Sequence, residues 1–196
     1  WSESRGLGDV YKRQVYDALK KSDTDPNGKF FLERYIAAHA IMISFEGIPA
    51  VYFNSLFGKA NDEAKYVITG NNRDVNRYKW NYKNITKKLK DKNSKQSIFY
   101  QNLVKLLEIK RKQKAFHPNA KRLNINLGSK IFCYERISLD KKQTIICISN
   151  LSNKLQYIKI NKNLIKYRDL LGRKIFFTFD KKIKLDPCQT IWLSNR

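Results

Sequence analysis

Residues 30–53 read FFLERYIAAHAIMISFEGIPAVYF. From Phe30 to Phe45 the apolar side chains cover most faces of a helix, which suits a helix buried against a sheet. Gly47 stands where such a helix stops. Gly47 to Phe53 is short, bounded by Gly and Pro, and has β character at Val51, Tyr52 and Phe53, so it predicts a buried parallel strand. Helix, tight turn and buried strand together make one unit of an α/β fold.

Working back toward the N-terminus, VYDALKKSD predicts a short helix from Val15 that ends near Ser22. Asp23 to Gly28 then offers helix N-cap candidates, Pro26 and Gly28, all breakers or starters. The first fourteen residues, WSESRGLGDVYKRQ, carry no sustained period and no capping logic leading into that helix. The string SRGLGDVYKRQ resembles a translated sequencing adapter. Residues 1–14 are therefore read as an artefactual segment, the alternative being disordered native chain, and the native sequence as starting at Val15.

Working forward, residues 54–93 form a long polar excursion, and a loop of that length in a compact domain is usually functional. SKQSIFYQNLVKLLEIKRKQKAF then predicts an amphipathic helix, with Ser94 as N-cap, Phe99, Leu103, Leu106 and Leu107 on its buried face, and basic residues in its last turn. At His117-Pro118-Asn119 the hydrophobic period changes to two. RLNINL, KIFCYERISL, QTIICISNL, LQYIKI, KIFFTF and TIWLSN follow as short strands. The expected organisation is α/β over residues 15–116, then an all-β antiparallel domain over residues 117–196.

Composition narrows the function classes. With 42% hydrophobic residues the chain is globular. No apolar run is long enough for a transmembrane helix, and the N-terminus lacks a signal-peptide pattern. Cys133, Cys147 and Cys188 form no CxxC pair and lie far in sequence from His39 and His117, so no metal site is expected; buried free thiols fit a reducing, cytoplasmic setting. The formal net charge of +23 raises nucleic-acid binding as a reading. Against it, the lysines are scattered from Lys20 to Lys184 among many Asn and Ile residues, a pattern that AT-rich codons favour. His39 sits in an apolar helix and reads as a core histidine. His117 reads as a cap or linker residue.

The densest chemistry is T-G-N-N-R-D-V-N-R-Y-K-W, Thr69 to Trp80. Loops that follow the strands of parallel α/β barrels build active sites. Arg73 or Arg77 could fork onto vicinal hydroxyls, a carboxylate or a phosphate. Tyr78 and Trp80 could stack on a sugar face or anchor the loop. A structural pair of Asp74 with Arg73 or Arg77 would hold the same loop without any ligand.

The helix followed by GIPAVYF resembles the segment before the last barrel strand of α-amylase-type glycosyl hydrolases, where G-x-P-x-x-Y is common. The continuation NSLFGKANDEAKYVITGNNRDVNRYKW is similar to the sucrose phosphorylase subfamily, with its glucosylglycerate phosphorylase relatives. It carries S-L-x-G-x-x-N-D, then T-G-x-x-R-x-x-N-R, then the long helix and Ala115-Phe116-His117-Pro118-Asn119-Ala120. The resemblance runs from about Val15 to Gly172. It implies the C-terminal portion of a (β/α)8 TIM barrel followed by a small antiparallel β-sandwich domain.

The resemblance also implies a retaining α-glucosyl transfer to inorganic phosphate that gives glucose 1-phosphate. An Asp nucleophile, a Glu acid and a stabilising Asp do the chemistry, all upstream of Val15, and no metal or organic cofactor takes part. Arg73 would touch the glucose ring, and Asp74, Asn76 and Arg77 would shape the pocket wall. Asn54 and Asn71 depart from residues common in relatives, at positions expected near the acceptor. The partners implied are a small-molecule α-glucoside and phosphate rather than a membrane or nucleic acid, and a homodimeric parent is compatible with it. The chain alone is expected to be inactive and poorly soluble. The alternatives are a hydrolase of the same family and a basic nucleic-acid-binding module.

Overall fold

The computed structural model describes residues 14–161, 163–164, 166–172, 175 and 182–196. The chain divides into two compact units. One comprises the described residues up to Phe31 with Ala50–Leu103, the other Leu32–Pro49 with Val104–Arg196. No helix among the described residues is long and apolar enough to cross a membrane.

The helical elements are α1 (Val15–Lys20), α2 (Phe31–Ser44), α3 (Phe53–Leu56), α4 (Glu63–Thr69), α5 (Tyr82–Lys90) and α6 (Lys95–Arg111), with 3-10 turns at Asn72–Val75 and Lys114–Phe116. The strands are β1 (Lys121–Asn126), β2 (Ile131–Ile137), β3 (Thr144–Asn150), β4 (Gln156–Ile158), β5 (Arg168–Asp169), β6 (Ile183–Leu185) and β7 (Thr190–Ser194).

The first unit is built round aromatic rings. Tyr16 of α1, Phe31 and Phe99 of α6 meet with ring centroids 4.5 to 5.7 Å apart, edge-on or tilted as ring quadrupoles prefer. Gly58 sits against this cluster at φ +55, where a Cβ would lie 2.6 Å from the Phe99 ring. Only glycine fits there. The Asp25 carboxylate accepts from the backbone N–H of Lys29 and Phe30 at 2.8 and 3.0 Å. Ser94 caps α6 as expected, its Oγ accepting from Ser97 N at 3.1 Å.

The second unit is a five-stranded antiparallel sheet, in the order β1-β2-β3-β7-β5, with a two-stranded sheet of β4 and β6. One apolar cluster joins the two sheets: Ile131 and Cys133 of β2, Ile146 and Ile148 of β3, Ile191 and Leu193 of β7, Ile158 of β4, and Ile183 and Leu185 of β6. The opposite face of the large sheet is covered as well. Tyr134 meets Ser44 at 2.6 Å, and Trp192 packs on Phe116 at 4.9 Å. Burial on both faces explains why β3 reads TIICISN rather than alternating apolar and polar.

Arg136 of β2 is fully buried. Its guanidinium donates to the carbonyls of Ser44 (2.6 Å), His117 (2.7 Å) and Ala120 (3.3 Å). A cation there complements the negative end of α2 and supplies donors to carbonyls that have no helical partner. His39 is a core residue, with Nδ1 2.9 Å from the Tyr35 carbonyl. Burial lowers its pKa below the ordinary value.

Two expectations are corrected. Gly47 to Phe53 is not a strand: it has no sheet partner, α3 starts at Phe53, and every pairing among the described residues is antiparallel. A parallel strand exists only beside a neighbour that takes its N–H and C=O groups, and the described residues supply none. Ile48 is 86% exposed as a result. The polar excursion of residues 54–93 is likewise not one loop; α3, α4, a 3-10 turn and α5 fill it. The expected strand KIFFTF falls, Ile175 apart, outside the described residues. The short strands β5 and β6 were not foreseen, because two or three residues leave no period to read.

Candidate substrate-binding loop

The Thr69–Trp80 segment is shaped by caps. Asp62 begins α4, its carboxylate accepting from Lys65 N at 3.3 Å. Gly70 ends α4 at φ +62 and donates to the Tyr66 carbonyl at 2.8 Å, a left-handed terminus that suits glycine. Asn71 caps the 3-10 turn in turn, its Oδ1 accepting from Arg73 N at 3.0 Å. Asp62 N donates to the Val75 carbonyl at 2.8 Å and closes the loop on itself. The Asp62 cap and the Gly70 stop bracket α4 and were the signal by which that helix could have been read from sequence.

The four candidate residues fall into two groups. Arg73 and Arg77 are exposed, and among the described residues no hydrogen bond or ion pair engages either guanidinium. Asp74 is tied down. Its carboxylate lies 3.3 Å from Lys65 Nζ, so its partner is Lys65 rather than Arg73 or Arg77. A hydrogen bond from Thr69, helped by Lys65 and by the positive charge of Arg77, holds its pKa below the usual value. Asn76 is fixed through its backbone: its carbonyl accepts from Gln14 Nε2 (2.9 Å), Tyr52 Oη (2.7 Å) and Asn54 Nδ2 (3.2 Å).

Asn54 is the brace of this region, a role the sequence did not reveal. It is 2% exposed. Its Nδ2 also donates to the Tyr78 carbonyl at 3.2 Å, and its Oδ1 accepts from Trp80 Nε1 at 2.8 Å. A side chain so occupied presents nothing to an acceptor sugar. Tyr78 and Trp80 anchor the loop: their rings meet edge-on at 4.9 Å, Lys59 Nζ sits 3.9 Å over Tyr78, and Trp80 packs on Phe57 at 5.6 Å. Two planar cations held on a braced turn, beside a carboxylate already neutralised, can grip a polyol or an anion. They supply no free nucleophile or base.

No protein-family model matches the chain. It is similar to glucosylglycerate phosphorylase of Escherichia coli (strain K12), 30% identical over 181 residues that cover 90% of this chain and 30% of that protein. It is also similar to glucosylglycerate phosphorylase of Allomeiothermus silvanus, 32% identical over 180 residues, 91% of this chain and 30% of that one. The chain thus spans under a third of the length of these relatives. Among solved structures, AmyP with maltotriose matches with a TM-score of 0.67 at 16% identity, over 88% of this chain and 36% of its own. The α-amylase from H. orenii matches with a TM-score of 0.58 at 16% identity, over 84% and 36%. At such identities the likeness is one of fold.

Proposed function

The chain is related to the glucosylglycerate phosphorylases among the α-amylase-type glycosyl hydrolases, and on that premise we propose that it is the C-terminal portion of a retaining α-glucosyl phosphorylase. The curated relatives favour a glucosylglycerate-like donor over sucrose. In this reading residues 15–116 are the end of the (β/α)8 barrel, packed in the parent against the rest of it, and residues 117–196 are its β-sandwich. The exposed Ile48, Tyr52 and Phe53 accord with that.

The observation that carries the reading is the pair of unengaged guanidiniums on a braced loop. Arg73 forks onto hydroxyls of the glucosyl ring, and Arg77 stands beside it. Asp74 and Asn76 form the wall: Lys65 fixes the first, and the backbone of the second takes three donors. The loop orients the sugar and carries positive charge suited to phosphate. An Asp nucleophile, a Glu acid and a second Asp, supplied by the rest of the parent, break and remake the glucosyl bond with retention. Phosphate is the co-substrate, with no metal or organic cofactor, in a cytoplasmic enzyme.

A phosphorolysis assay tests this in two arms. The purified 196-residue chain should release no glucose 1-phosphate from glucosylglycerate and phosphate, because the attacking and protonating groups are not in it. The parent reading is sunk if the chain supplemented with the upstream part of its own gene product also releases none. Free glucose in place of glucose 1-phosphate would make the parent a hydrolase.

A further inference from the structure

In the second unit, the end of α6 and its 3-10 turn face the β2–β3 turn across a cavity of about 470 Å3. A cavity of this size can hold a small ligand. Its polar groups fall into two sets. One is already satisfied. Ser138 donates to Asp140 at 2.6 Å and accepts from Gln143 N at 2.9 Å. Gln113 accepts from Gln143 Nε2 at 2.7 Å and donates to the Ile109 carbonyl at 3.3 Å. Asp140, the cavity's one carboxylate, is taken by Ser138, Lys142 N and Lys114.

The other set consists of donors without acceptors. Among the described residues, the side chains of Lys110, Arg111 and Lys112 make no hydrogen bond or ion pair, yet all three line the cavity. The exposed His117 accepts from Asn119 N through Nδ1 at 3.2 Å, which leaves Nε2–H to donate. Basic residues in a last helical turn offset the helix dipole. That accounts for the charge but not for its gathering round a concave space. Lys110 is partly buried, and burial together with the positive charge of Arg136 pushes its pKa down. An anion in the cavity would relieve that repulsion.

We propose that this cavity is a binding site for an organic phosphate monoester, its phosphate held by Lys110, Arg111, Lys112 and His117 and its organic part lying against Leu139 and the edge of Phe116. Bare phosphate would leave most of the cavity empty, and Leu139, 61% exposed, gives carbon for a ring or chain to cover. The site involves no residue of the Thr69–Trp80 loop, so it does not depend on the reading of that loop.

Isothermal titration of the 196-residue chain at about 0.15 M salt tests it, with adenosine monophosphate, glucose 6-phosphate and inorganic phosphate as separate probes. At least one ester should bind with a dissociation constant below about 1 mM and more tightly than inorganic phosphate. Lys110→Ser with Lys112→Ser should weaken that binding about tenfold or more. Leu139→Asp, an exposed substitution that spares the fold, should weaken it too by placing a carboxylate at the wall. Lys87→Ser with Lys88→Ser, an equal loss of charge on α5, should leave it unchanged. The proposal is overturned if no ester binds, if inorganic phosphate binds as tightly, or if the α5 variant loses as much affinity as the cavity variant.

Discussion

The large sheet and the Thr69–Trp80 loop solve the same problem, fixing backbone polar groups, by different means. In the sheet, ladder bonds satisfy the backbone and apolar side chains cover both faces; Arg136, a cation buried there, donates from its guanidinium to three carbonyls. In the loop, polar side chains do the fixing: Asn54 braces Asn76, Tyr78 and Trp80, with Gln14 and Tyr52 also on the Asn76 carbonyl. The sheet keeps its cation inside and engaged, and the loop keeps its cations outside and free. One region therefore trades in folding stability and the other in recognition. Each substitution below should strike one and spare the other.

The largest effect belongs to the sheet. Trp192 of β7 is fully buried and packs on the Phe116 ring. Trp192→Ala should lower unfolding stability by about 4 kcal/mol, from lost transfer energy and the cavity left behind. Chemical denaturation measures it, and thiol labelling gives a second readout. Burial pushes Cys133 and Cys147 up to about 12, so neither should react at neutral pH until the sheet opens. Labelling should accelerate in the variant by about tenfold for every 1.4 kcal/mol of stability lost. Loss of stability with no faster labelling would show that Trp192 does not hold that part of the sheet.

Asn54→Ala is the loop's counterpart. It leaves Trp80 Nε1 without its acceptor and takes one donor each from the Asn76 and Tyr78 carbonyls, a cost of about 2 kcal/mol. The loss should be local. Amide exchange should speed up over residues 76–80, while β2 and β3 keep the protection of the parent chain. Equal loss of protection in both regions would mean that the loop and the sheet open together.

Acid separates the two regions more gently. His39 is buried with its pKa lowered, so the unfolded chain takes up that proton first as pH falls. Its contribution is whole above the unfolded value near 6.5 and declines below it. Asp74 has its pKa lowered as well, but from 3.8; its contribution is whole above that value and fades only as pH drops through the lower, folded one. His39→Gln should therefore flatten the stability profile as pH falls below about 6.5, and Asp74→Asn should act only at more acid pH, below 3.8.

Sequence revealed the two regions unequally, for physical reasons. Strands β1, β2, β3 and β7 of the sheet were legible because apolar patterning reports burial directly, and α2 and α6 were legible through their length, with Ser94 placed by capping; β5, two residues long, was not. Gly47–Phe53 was misread because a strand is a relation between segments, and composition speaks for only one of them. The loop's residue types pointed to its cations, yet its architecture was hidden. The Lys65–Asp74 pair and the Asn54 brace join residues brought together by helical turns that a polar stretch does not advertise.

The smallest expected change in stability is the most informative about function. Arg73 is exposed, and no described residue engages its guanidinium, so Arg73→Ala should alter stability by no more than about 0.5 kcal/mol. If the loop serves recognition, the same substitution in the active parent should lower kcat/KM by about a hundredfold or more. Arg73→Lys should restore little, because an ammonium cannot reproduce the planar fork that grips neighbouring hydroxyls. Activity that survives Arg73→Ala while Asn54→Ala abolishes it would place the loop's value in its shape. Its free cations would then be ordinary surface charge.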